Sequence, residues 1–185
     1  MTLLPRRCIA LCLGLLFTSA QAYNPPTPPP VPDNPAAPPP AATWQHQQFT
    51  FNYMGFTTHY SCDGLRAKLR QVLQALGARK DDLKVTPAGC TRMSGQPELT
   101  PSLDIDMWTL QAAPEPPAAD AVKTQWRAVQ LGGQLGGGDC ELADEIENQL
   151  LSHFTVRYLQ IQTGCIPHQA VASIRLSLEV LGPAR

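Results

Sequence analysis

Two stretches decide the fold: Cys62-Asp63-Gly64-Leu65-Arg66-Ala67-Lys68-Leu69-Arg70-Gln71-Val72-Leu73-Gln74-Ala75-Leu76, and Cys140-Glu141-Leu142-Ala143-Asp144-Glu145-Ile146-Glu147-Asn148-Gln149-Leu150-Leu151-Ser152-His153-Phe154. Counted from its cysteine, the first places Leu65, Leu69, Val72, Leu73 and Leu76 at offsets 3, 7, 10, 11 and 14. The second places Ala143, Ile146, Leu150, Leu151 and Phe154 at offsets 3, 6, 10, 11 and 14. Four of the five offsets coincide, and both sets keep the spacing of an amphipathic helix. The pattern predicts two helices, each opening at a cysteine.

The flanks repeat as well. After the first helix Gly77 is a stop signal, and Leu83-Lys84-Val85 alternates as a strand up to Gly89-Cys90. After the second, Leu159-Gln160-Ile161 alternates up to Gly164-Cys165. Alternating stretches precede the helices at Phe49–Tyr53 and Arg127–Leu131, and further strands follow the second cysteines at Leu103–Leu110 and Ile174–Val180. Ala112–Ala121, rich in proline and alanine, reads as a linker between the copies. The expectation is therefore an α+β protein of two β-α-β-β repeats, about 43–111 and 122–185. Copies this small have little core of their own, so they are expected to share one antiparallel sheet, with both helices on one face, about a pseudo-twofold axis. Charge points the same way: Arg66, Lys68 and Arg70 follow Asp63 on the first helix, whereas Glu141, Asp144, Glu145 and Glu147 lie on the second. Side by side, such helices attract weakly.

Six cysteines occur in the 185 residues, but Cys8 and Cys12 fall in a targeting segment. Arg6 and Arg7 precede an apolar run from Cys8 to Phe17, and Ala20-Gln21-Ala22 has the small-x-small form of a cleavage site, so residues 1–22 read as a signal peptide. The run is too short to span a bilayer, and no transmembrane segment is expected in the mature protein. Four cysteines in an exported chain allow three pairings. The repeat selects Cys62–Cys90 and Cys140–Cys165, closing loops of 28 and 25 residues. The competing reading is a metal site from His59, Cys62, Cys165 and His168; it would strand Cys90 and Cys140 and needs thiolates in an oxidising compartment, so no metal is assigned.

From Asn24 to Ala42 ten of nineteen residues are proline, so 23–42 reads as a disordered, extended spacer ahead of a globular domain at 43–185. Composition narrows the class: 43% apolar residues exclude a wholly disordered chain, while 14 basic against 15 acidic groups offer nothing to a nucleic acid. Without the signal peptide the count is 12 basic to 15 acidic.

The chain contains no G-x-S-x-G, H-E-x-x-H or phosphate-binding glycine loop, and no catalytic residue or cofactor is assigned. Gly132–Gly138 is glycine-rich but lacks the Lys-Ser/Thr pair of a nucleotide loop, and Asp139 after it reads as a helix N-cap. Ser61 beside His59 likewise reads as a cap. One strand stands out, Leu103-Asp104-Ile105-Asp106-Met107-Trp108. Alternation turns Leu103, Ile105 and Met107 inward and Asp104, Asp106 and Trp108 outward. Two aspartates in a strand call for a reason. A carbohydrate-like or peptide-like ligand on Trp108, bonded by the carboxylates, supplies one; a solvated sheet face supplies the other, matched by Arg175, Ser177 and Glu179 on the second copy.

The stretch Tyr60-Ser61-Cys62-Asp63-Gly64 and the strand end Gly89-Cys90 resemble those of small exported proteobacterial proteins without an assigned function. The resemblance implies a bacterial envelope location, periplasmic or secreted. Two functions remain: a non-enzymatic, disulfide-stabilised module with an envelope or extracellular partner, or a small exported hydrolase acting through Asp104 and Asp106.

Overall fold

Among the described residues six strands and two α-helices follow one another in the order the periodicity predicts. In the computed structural model of the protein, residues 38–90, 95–113, 119–165 and 174–184 are described; all lie in the compact unit Val31–Arg185. The expected signal peptide, the expected spacer up to residue 37, residues 114–118 of the expected linker and His168 fall outside them. The elements are β1 (Ala42–Asn52), α1 (Cys62–Leu76), β2 (Lys84–Pro87), β3 (Ser102–Ala112), β4 (Thr124–Gln130), α2 (Cys140–Glu145), β5 (Val156–Thr163) and β6 (Ile174–Pro183).

The α1 boundaries have local causes. Ser61 accepts a hydrogen bond from Gly64 N at 3.1 Å, and Gly77 ends the helix at φ 106°, where a side chain would be strained. Between them Leu65, Leu69, Val72, Leu73 and Leu76 are all buried. The second helix departs from the expectation. Its α-helical part stops at Glu145, a single π turn covers Ile146–Leu150, and a 3₁₀ turn covers Leu151–His153. The apolar set explains the widening. Leu151, five residues past Ile146, would sit about 140° away round an α-helix; in the π turn its N–H donates to Ile146 O and the side chain stays buried.

Instead of the one shared sheet expected, the described strands form two three-stranded antiparallel sheets, ordered β1-β3-β2 and β4-β6-β5. In each, the last strand of its half lies in the middle. Among the described residues one antiparallel backbone bridge links the two sheets, where Ala42 N donates to Val122 O at 3.3 Å and Val122 N donates to Ala42 O at 2.7 Å. Thr124 Oγ1 donates to Pro40 O alongside it. The ladder cannot run further because Pro38, Pro39 and Pro40 have no N–H to give. The expected spacer also loses its last residue, since Ala42 is wholly buried and opens β1.

The larger of two buried clusters joins both halves. Phe51, the α1 leucines, Leu103, Ile105 and Met107 lie in one buried cluster with Leu142, Ile146, Leu150, Leu176, Leu178 and Val180. The disulfides Cys62–Cys90 and Cys140–Cys165 tie each helix start to the far end of the segment that follows, with Cα separations of 6.1 and 6.0 Å. Both thiols of the metal reading are thereby engaged with other cysteines.

The expected charge pairing of the helices reduces to one contact. Arg66 pairs with Asp63 on its own helix, and Glu141 is held by the 53–60 loop. Across the halves Lys68 Nζ pairs with Asp139, whose carboxylate also accepts from Tyr60 OH and Gly136 N. Asp139 thus occupies the N-cap position of α2 without capping it. Burial raises the Asp139 carboxyl and lowers the Lys68 ammonium, each toward its neutral form.

Candidate functional site

Alternation on β3 places its side chains as the sequence predicts. Leu103, Ile105 and Met107 are buried, and Asp104, Asp106 and Trp108 share the opposite face. Register then sets their neighbours. Asp104 lies between Thr50 on β1 and Thr86 on β2, Asp106 between Gln48 and Lys84, and Trp108 opposite His46. The result is a polar surface three strands wide.

Both carboxylates are engaged by cross-strand donors. Thr50 Oγ1 donates to Asp104 Oδ1 at 2.7 Å, and Gln48 Nε2 donates to Asp106 Oδ2 at 3.1 Å. His46 Nε2 lies 2.8 Å from Asp106 Oδ1, and Lys84 Nζ is 4.0 Å from Oδ2. Hydrogen bonds from His46 and Gln48 hold the Asp106 carboxyl below the usual aspartate range, against a smaller opposing effect of burial. Here is the reason that two aspartates on a strand require: each closes a hydrogen bond between strands.

Gln48, Thr50, Lys84, Thr86, Asp104 and Asp106 line an open depression of about 460 Å³. Trp108 shares this face but does not line the depression. Its ring stacks on His46 with centroids 5.1 Å apart, and the Arg79 guanidinium lies 6.0 Å from it. A ligand in the depression would meet amide, hydroxyl, ammonium and carboxylate groups before it met the indole.

His46, Gln48, Thr50, Lys84 and Thr86 escaped the sequence reading. Trp44-Gln45-His46-Gln47-Gln48 is polar on both faces after its tryptophan, so alternation gives no signal, and register is set by tertiary pairing. A second omission had a usable signal. Arg79 and Arg157 each stand 17 residues past the cysteine that opens a helix. Arg79 lies 5.6 Å over the Trp44 ring, and Arg157 lies 4.2 Å over Trp126. Trp44 is opposite Leu110 on β3, and Trp126 is opposite Leu181 on β6. With Ala42 and Val122 these residues make a small apolar cluster of their own beside the bridge between the sheets.

The outer face of the second sheet carries different chemistry. Arg175 is exposed, Ser177 and Glu179 are half-buried, and Arg157 Nε donates to Glu179 Oε2 at 2.5 Å. Tyr158 follows at a register shift in β5 with φ 53°, an uncommon conformation for a bulky residue. Among the described residues no group of three or more His, Cys, Asp or Glu side chains is arranged to hold a metal ion.

No family model matches this chain, and no curated protein or solved structure matches it.

Proposed function

We propose that the protein is an exported binding module that presents the outer face of its first sheet to a polar ligand of the cell envelope or extracellular space. Export rests on the sequence of residues 1–22 and on the two disulfides, which suit an oxidising compartment. The short resemblance to exported proteobacterial proteins agrees with it. No described helix is long and apolar enough to cross a membrane. The halves are read as copies of one β-α-β-β unit about a pseudo-twofold axis, supported by the common strand order and the recurring Arg-on-Trp contact.

The observation that carries binding over hydrolysis is the occupancy of both carboxylates by neighbouring side-chain donors. His46 and Gln48 engage Asp106, and their hydrogen bonds hold this carboxyl low and ionised, with no proton to deliver as a general acid. Asp104 in turn accepts from Thr50. Both carboxylates serve as fixed acceptors beside Lys84 and Thr86, an arrangement suited to a hydroxyl- or amide-bearing ligand such as a glycan or an extended peptide.

The test is retention of the mature protein on immobilised envelope polysaccharide and, separately, on immobilised envelope peptide. Wild type should be retained on one of them, and Thr86→Lys, which lengthens a side chain lining the depression beside Asp104, should abolish retention without lowering Tm by more than about 2 °C. Cleavage of either material that is lost in Asp106→Asn would overturn the reading and establish the hydrolase.

A further inference from the structure

We propose that the loop of residues 53–60, with residues 97–101 beside it, is a rigid apolar docking tip for a second protein, one that offers an apolar cleft with a basic rim. Phe56 is 72% exposed, Leu99 64% and Met54 56%. A single exposed apolar side chain needs no explanation. Three on two joined segments do. Tyr53 N donates to Pro101 O at 3.0 Å, Glu98 N donates to Tyr60 O at 2.9 Å, and Ser61 bridges to Pro97.

The tip is braced from below. Tyr53 OH donates to Thr58 O at 2.6 Å and Thr58 Oγ1 donates to Gly138 O at 2.6 Å. Thr57 N donates to Glu141 Oε1 at 3.0 Å, and Thr58 N donates to Glu141 Oε2 at 3.4 Å. Burial pushes the Glu141 carboxyl up, yet the backbone donors of Phe56, Thr58 and Thr57 outweigh it and hold the group low and ionised. Gly55 closes the turn, since a Cβ there would stand 2.2 Å from both Thr58 O and Tyr53 OH. The donors of Tyr53, Thr57 and Thr58 are thus turned inward while Met54 and Phe56 are held in water. The ordering entropy is met on folding and does not weaken binding.

Phenylalanine and methionine are side chains enriched in protein interfaces. Charge decides between a protein and a lipid surface. Among the described residues Lys68 is engaged by Asp139 and Arg66 by Asp63, while Glu141 leaves a negative charge beneath the loop. Anionic headgroups attract basic segments, which this tip lacks among the described residues. A basic rim on a protein partner complements Glu141.

The experiment places a photo-crosslinking phenylalanine analogue at position 56 of the full chain, with position 147 on the exposed side of the second helix as control. Irradiation in cells should give one discrete protein adduct from position 56 and none from position 147. Met54→Ser with Leu99→Ser should lower its yield at least tenfold at unchanged Tm, and the adduct should map to an apolar cleft flanked by Lys or Arg. An adduct with a second copy of this chain, an adduct insensitive to the serine changes, or no adduct would overturn the proposal. Flotation of the mature protein with anionic vesicles, lost in Phe56→Ser, would overturn it in favour of a lipid surface. None of these outcomes depends on the Asp104–Asp106 face, so this proposal and the binding reading fail separately.

Discussion

Superimposed by strand register, the outer faces of the two sheets agree on one side and differ on the other. Trp44 opposite Leu110 under Arg79 matches Trp126 opposite Leu181 under Arg157. Two residues further along the central strands, Trp108, Asp106 and Asp104 on β3 stand where β6 carries Glu179, Ser177 and Arg175. On the flanking strand His46 has Ala128 as its counterpart, while Gln48 has Gln130. What recurs lies beside the bridge between the sheets and belongs to the framework. What occurs once, the carboxylate row beside Lys84 and Thr86, is not demanded by the common framework, and that difference is what makes it the candidate site.

The largest expected effect tests whether the halves are alike where they should be. Their disulfides close loops of 28 and 25 residues, for which chain entropy suggests about 3.5 kcal/mol each. Replacing either pair with serines should lower unfolding stability by about 3 kcal/mol, and the two variants should agree within about 1 kcal/mol. Urea unfolding of both checks this. A deficit confined to one half would break the comparison.

Next comes the contact that has no counterpart. Lys68 meets Asp139 across the two halves, and the Asp139 side chain is only 5% exposed. Lys68→Met removes one partner of a buried pair and should cost about 3 kcal/mol. Joined to Asp139→Asn it should cost less than the two single changes added together, because the second change removes the charge the first had stranded. Strict additivity in a double-mutant cycle would show that the pair is not coupled.

Legibility in the sequence follows the range of the forces involved. The α1 face, the inward Leu103-Ile105-Met107 set and the disulfide pairing were all local or repeated, and they stand in the structure as read. The single sheet did not, because its continuity depended on what the strand before β1 could donate, and Pro38–Pro40 donate nothing. Helix periodicity hid the π turn, which Leu151 required only once Ile146 had been placed in the core. In the candidate site Asp104, Asp106 and Trp108 were legible from alternation, but Lys84 and Thr86 reach them through cross-strand register alone. Trp108 also turned out to be occupied by His46, a contact between residues 62 positions apart.

A smaller effect separates the two recurring Arg-on-Trp contacts. The Arg157 side chain is 10% exposed and bonded to Glu179, whereas that of Arg79 is 49% exposed beside Asp82. Arg157→Ala should therefore cost about 1.5 kcal/mol and Arg79→Ala about 0.5 kcal/mol or less, since exposed pairs are screened and buried stems also lose packing. Equal losses in thermal unfolding would mean that both arginines bear alike on the framework.

The smallest effect falls on the site itself and concerns pH. Asp106 has a folded pKa below its unfolded value, first through His46 and then through Gln48. A depressed carboxyl stabilises the fold above its unfolded pKa, near 3.9, and that contribution is lost as pH falls through the lower folded value. Asp106→Asn keeps an acceptor oxygen for Gln48 but loses the charge, so at neutral pH it should cost under about 1 kcal/mol. The cost should shrink as the solution is acidified, until the variant and wild type unfold alike below the folded pKa of Asp106. Ser177, between Gln130 and Gln160, has neither a histidine nor a lysine opposite it in the register. Ser177→Asp should then be close to neutral and add no comparable pH dependence. If it instead reproduced the acid sensitivity of Asp106, the carboxylate row would follow from strand pairing alone, and the asymmetry between the two faces would lose its claim to mark a site.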